Sequence, residues 1–182
     1  PLMIQWQQDP RPWVSRKLMG KATIGTLMKV GITAVILSAI GPSRPAIVYN
    51  ASASVPLGYY RVTAPLSLKI GDLVLLHTPE SVRQLADLRR YLPKTVPMIK
   101  HIAAMGGDTV CAYGDRILIN GKPSANRQQK DSLGRAMPWW NGCRTLSPEE
   151  VFVLNPEAPQ SFDSRYFGVI SGKLIIGKLR PL

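Results

Sequence analysis

The sequence is poor in the residues that build metal sites. Across 182 positions it has two cysteines and two histidines: Cys111, Cys143, His77 and His101. Their spacing matches no zinc pattern, and no metal or other cofactor is expected. Acidic residues are also scarce, 11 against 23 Lys plus Arg, so the formal net charge is +12. That balance favours an acidic partner, either nucleic acid or an anionic membrane surface. The cations are scattered and form no long run, which argues against a nucleic-acid-binding arm; no direct nucleic-acid contact is expected. No internal repeat is visible, and no G-x-S-x-G surrounds a serine. What is present is a 45% hydrophobic composition. That excludes a disordered chain, and the length suffices for one domain with a real core.

There is one long apolar run, Ala22 to Ile40, and its only charge is Lys29. A membrane span needs about 20 mostly apolar residues. Arg11, Arg16, Lys17 and Lys21 precede the run and only Arg44 follows closely. The positive-inside rule then keeps the N-terminus in the cytoplasm and exports the rest. A cleaved signal peptide ending near the small residues Ser38 to Gly41, or a core helix of a soluble protein, are the alternatives. If the later part is exported, an oxidising compartment allows a Cys111–Cys143 disulfide; otherwise they are two unrelated thiols.

After a break at Pro42 to Pro45, short apolar runs alternate with turn signals, the pattern of β-structure. Strands are expected around "YYRV", "DLVLLH" (72–77), "MIKHIAAM" (98–105), "TVCAY", "RILI", "EVFVLN" (150–155), "GVI" (168–170) and "KLIIGKL" (173–179). Asn120-Gly121 is a strong hairpin-turn signal. One helix is expected, with Thr78 as cap, Pro79 in the first turn, Val82, Leu85, Leu88 and Leu92 at helical spacing, and Pro93 as stop. Residues 123–144 are polar and aperiodic, a long excursion from the sheet.

"NASASVPLGYY" (50–60) carries Ser52 and Ser54 one residue apart, before a proline and a glycine. A serine needs a base to become a nucleophile. Either histidine could serve, although each is also readable as structural. A lysine can serve only when neutral, which burial among apolar side chains permits. Lys100, flanked by Val96, Met98, Ile99, Ile102, Ala103 and Ala104, is the lysine with such neighbours. Taken alone it could equally point into water.

Four boxes resolve the choice. "IKHIAAMGGDTV" resembles the K-R-V-x-G-x-P-G-D box of type I signal peptidases, Ser–Lys proteases of family S26. "NASASVPLGYY" resembles the serine box in its conjugative-transfer form, "GDLVLL" (71–76) the G-D-[IV]-V box, and "SFDSRYFG" (161–168) the S-x-D-S-R-Y-[WF]-G box. They occur in the family's order from Asn50 to Gly168. The single residue between Ser54 and Pro56, and His101 after the lysine, fit the TraF-type conjugative branch better than the housekeeping enzymes.

The resemblance implies a mainly β, antiparallel signal-peptidase-like fold with one N-terminal transmembrane helix and a short helical excursion. It divides the chain into a basic cytoplasmic segment (1–21), an anchor (22–41) and a periplasmic catalytic domain (42–182) on the bacterial inner membrane. By resemblance Ser54 is the nucleophile, with Ser52 as runner-up. Lys100 is the general base, Ser52 a second oxyanion donor beside the Ser54 N–H, Ser161 the residue that orients the lysine, and Asp163 with Arg165 an ion pair behind the site. The cysteine pair also fits that branch. Asp72 and Asp108, each after a glycine, are expected to fix turns. The implied partners are an exported, pilin-like precursor, the anionic membrane and a conjugation or secretion machinery. The outcome could be hydrolysis or joining of the pilin's ends into a ring. A broad-substrate signal peptidase, a non-catalytic secretion subunit and a soluble self-cleaving repressor are the rival readings.

Overall fold

A computed structural model describes residues 21–40 and 45–182. Arg11, Arg16, Lys17 and Arg44, on which the topology reading leans, lie outside them, as does all but the last residue of the expected cytoplasmic segment 1–21. The chain divides into two units between Ser43 and Arg44.

In the first unit, helix α1 runs Lys21–Ile40. Its described side chains, Thr23 to Ile36, are all exposed, including Ile24, Leu27, Met28, Val30, Ile32, Val35 and Ile36. Lys29, three threonines and two glycines dilute this run. Among the described residues no helix is long and apolar enough to cross a membrane.

The second unit is mainly antiparallel β-structure. Its strands are β1 (Ile47–Asn50), β2 (Gly58–Thr63), β3 (Leu73–Leu76), β4 (Met98–Met105), β5 (Thr109–Tyr113), β6 (Arg116–Ile119), β7 (Lys122–Asn126), β8 (Gly142–Thr145), β9 (Glu150–Leu154), β10 (Ile170–Ser171) and β11 (Ile175–Pro181). They form one sheet in the order β1-β2-β11-β3-β4-β9-β10 and another in the order β7-β6-β5-β8. β4 alternates buried and half-buried positions along its whole length, as a strand packed on one face must. A register shift between Ile102 and Ala104 against β9 carries it from one core to the next. Ile102 packs with Val74, Leu76, Met98 and Val153, whereas Ala104 packs with Val110, Ile117, Phe152 and Leu154. Tyr60, Leu75 and Leu179 form a third cluster across β2, β3 and β11.

Asn120 and Gly121 both take positive φ, 50° and 76°, and turn β6 into β7 as a two-residue hairpin.

Four expectations need correction. Helix α2 runs Glu80–Leu88 and is capped at Pro79 without a side-chain bond; Thr78 therefore stands one residue too early, and its hydroxyl is buried without a partner among the described residues. The helix also stops before Leu92, because Arg90 takes φ 58° and the Tyr91 N–H turns back to the Ala86 carbonyl. The expected strand at 168–170 shrinks to β10, and the start of the expected strand at 173–179 is a 3-10 turn, Gly172–Leu174, capped by Ser171.

Candidate active site

Asn50 and Gly58 face each other as the pair that closes the β1–β2 hairpin, so residues 51–57 form its loop. Pro56 fixes φ inside the loop, and Gly58 leaves it at φ 148°, a backbone conformation that suits glycine. Val55 is buried and anchors the loop. Ser52 is exposed and Ser54 half-buried. The two hydroxyl oxygens are 3.0 Å apart. Ser52 donates its hydroxyl to Asn50 Oδ1 at 3.0 Å.

Lys100 lies in the interior of the large sheet, paired with Val74 of β3. On β4 its side chain shares a face with Met98 and Ile102. Only 6% of it is exposed. Its ammonium donates to Ser161 Oγ at 2.6 Å, and Ser161 is itself buried. Burial pushes the lysine down from 10.5 to about 8; nearby Asp163 raises it and Arg165 lowers it. At that value about a tenth of the lysine is neutral at pH 7.

Behind Ser161 the chain enters helix α3, Ser164–Phe167, with Asp163 as its N-cap. Asp163 accepts from the Arg165 guanidinium at 2.8 and 3.1 Å and from the Asn155 N–H at 3.0 Å. Arg165 also donates to the carbonyls of Asn126, Pro159 and Asn155. Both partners are buried. The Pro159 bond ties this pair to the loop that carries Ser161.

Ser52, Ser54, Lys100 and Ser161 line one cavity of about 850 Å³. Among the described residues no hydrogen bond joins Ser54 to Lys100; each hydroxyl or amine is held by its own serine. Tyr91, Leu92, Val96, Met98, Ile99 and Phe162 supply an apolar part of the cavity wall.

Neither histidine lines it. His77 is exposed, and His101 is half-buried beside Asn155 Oδ1 at 3.3 Å. Asp72 and Asp108 accept backbone N–H groups of Lys69 and Met105 in tight turns. Among the described residues no cluster of His, Cys, Asp and Glu is placed to hold a metal ion. Cys111 and Cys143 stand opposite each other on β5 and β8 and are joined by a disulfide, S–S 2.10 Å, away from the cavity.

Sequence reasoning missed two groups. Asn155 bridges strands behind the lysine, donating to the Ile99 carbonyl and accepting from His101 N–H. The reach of the excursion into the cavity is the other. Arg127 anchors it through the Gly114 and Trp140 carbonyls with its guanidinium 3.5 Å over the Trp139 ring. Asp131 accepts from Tyr91 at 2.5 Å and from Arg135 at 2.6 Å. The excursion thereby supplies Gln128, Lys130, Asp131, Ser132 and Met137 to the cavity wall.

Residues 20–182 match the family described as signal peptidase, peptidase S26. The conjugal transfer protein TraF of Agrobacterium fabrum is 33% identical over 159 residues, covering 82% of this chain and 86% of that protein. The plasmid transfer protein TraF of Escherichia coli is 30% identical over 162 residues, covering 84% and 90%. The crystal structure of a signal peptidase I from Enterococcus faecalis superposes with a TM-score of 0.39 at 19% identity, covering 64% of this chain and 100% of that one. With nearly its whole length matched, this chain belongs to the signal peptidase family, peptidase S26.

Proposed function

We propose that this chain is a membrane-anchored serine endopeptidase of conjugative transfer, with Ser54 as nucleophile and Lys100 as general base. The observation that carries the reading is a buried lysine, its pKa down to about 8, opening on the same cavity as Ser54. In the reaction the Ser54 hydroxyl turns from Ser52 toward Lys100, which takes its proton as the oxygen attacks the scissile carbonyl. The Ser54 N–H and the Ser52 hydroxyl stabilise the oxyanion, donors typically worth about 2.7–4 kcal/mol each. Lys100 then gives its proton to the leaving amine. The ester on Ser54 is resolved by water, which gives hydrolysis, or by an amine of the same substrate, which closes a ring.

The substrate class is an exported, pilin-like precursor, supported by the transfer proteins among the relatives. The exposed apolar side chains of α1 support an anchor. The catalytic unit then works on the periplasmic side of the inner membrane. The test is mass analysis of the transfer system's pilin precursor after incubation with the full chain. A cleaved product is expected, and a ring differs from the linear form by one water. Ser54→Ala and Lys100→Ala should each reduce conversion by about a thousandfold or more. Undiminished conversion by either variant sinks the dyad.

A further inference from the structure

The side chain of Asn50 is nearly inaccessible, 4% exposed, at the end of β1. Its NH2 donates to the carbonyls of Ser52, Val55 and Pro56 at 2.8, 3.0 and 3.1 Å. Its oxygen accepts the Ser52 N–H at 3.1 Å and the Ser52 hydroxyl at 3.0 Å. These surroundings fix the amide's orientation: three carbonyls demand the nitrogen, and a backbone N–H demands the oxygen. An amide oxygen only accepts, so Ser52 gives it the hydroxyl proton. A serine hydroxyl has one proton. The 3.0 Å contact between the two serines is therefore donated by Ser54. The protons run one way, from Ser54 to Ser52 to Asn50.

We infer that Asn50 is a positioning residue of the reaction, acting through Ser52. It rests on Ser54 being the nucleophile. Asn50 holds the Ser52 oxygen within reach of the Ser54 oxygen, so that when the tetrahedral intermediate forms the Ser52 hydroxyl has only to rotate its proton from the Asn50 oxygen to the oxyanion. The same amide gathers the loop carbonyls and presents both hydroxyls to the cavity. Tyr60 offers an internal contrast. Its hydroxyl also grips the loop, at the Pro56 carbonyl, 2.7 Å, but among the described residues it bonds to neither serine.

The experiment is steady-state cleavage of the pilin precursor by the full chain, with thermal unfolding measured on each variant. Asn50→Ala should lower kcat about tenfold to a hundredfold, at or below the loss of about a hundredfold to a thousandfold typical of removing an oxyanion donor outright, and leave KM within about twofold. Asn50→Asp, which keeps the acceptor for Ser52 while losing the NH2, should recover kcat to within a few fold even where it unfolds earlier. On a Ser52→Ala background, Asn50→Ala should add almost nothing. Tyr60→Phe should unfold earlier with kcat unchanged. Should Asn50→Ala fail to fold, Asn50→Gln takes its place with the same expectations, because it keeps the amide but moves it by one methylene. The inference is overturned if the Asn50 and Ser52 losses multiply, if Asp rescues nothing, or if Tyr60→Phe loses as much kcat as Asn50→Ala. Ser54→Ala run alongside separates two failures. Cleavage by that variant overturns the nucleophile reading and this inference together. An inactive Ser54→Ala beside multiplicative losses overturns this inference alone.

Discussion

Two cations are buried side by side in this fold, and they are treated in opposite ways. Arg165 is 1% exposed and fully served: two bonds to Asp163 and further bonds to the carbonyls of Asn126, Pro159 and Asn155. Lys100 is 6% exposed and, among the described residues, has one hydroxyl, Ser161, and no carboxylate in contact. A guanidinium stays charged under any such burial, so it must be paired and it serves structure. An ammonium left under-served gives up its proton instead. The difference teaches that a buried cation points to chemistry when its partners are too few.

The comparison can be broken from the arginine side, where the effect is largest. Arg165→Met leaves Asp163 buried without its cation and frees the Pro159 carbonyl; it should destabilise the fold by about 3–5 kcal/mol in chemical unfolding. A loss under 1 kcal/mol would show that the pair is not structural.

The lysine side should move stability the other way. A pKa lowered from 10.5 to about 8 means the unfolded chain binds more protons between those pH values. Stability should therefore rise with pH from about 8 to 10.5, and the charged lysine costs the fold its full amount below about 8. Lys100→Met should stabilise the protein at pH 7 by up to roughly 3 kcal/mol while removing activity. Activity of the unaltered chain should climb through pH about 8 as the amine becomes neutral. A flat rate from acid to alkaline pH would count against Lys100 as base.

The smallest effect should come from Ser161→Ala. Removing the one acceptor disfavours the charged amine, so the activity midpoint should move to lower pH. The loss of orientation should reduce kcat about tenfold, roughly 1.4 kcal/mol. A midpoint that stays put would mean that Ser161 does not tune the lysine.

Much of this was legible in the sequence, for physical reasons. β3, β4 and β9 are short runs of apolar side chains with little else they could be. The Asn-Gly turn is legible because few residues accept two successive positive φ values. The spacing of Asp163 and Arg165 within "SFDSRYFG" was readable as a pair only through the resemblance, since two charges two residues apart most often mark a surface turn. Asn50 was not legible as a hub, because an asparagine at the mouth of a loop looks the same whether its amide is buried or wet. The end of α2 was missed because Leu92 keeps helical spacing while Arg90 has already turned the backbone. The excursion itself was legible, but not its share in the cavity wall, because what orders it is a set of bonds to distant carbonyls, from Arg127 and Arg89, which leave no periodic trace.

The position of β11 has a consequence for how the enzyme comes into being. The serine hairpin, β1 and β2, reaches the lysine side of the sheet, β3 and β4, only through β11, which pairs with both β2 and β3. Gly177 sits at that junction, where any side chain would collide with Val62 and the Thr63 carbonyl. A chain still growing on the ribosome has long since made Ser54 and Lys100, but cannot bring them to one sheet until residues 175–181 have been added. On the proposed Ser54–Lys100 chemistry, synthesis order acts as a safety catch: the half-made chain carries both residues and has no sheet on which to join them.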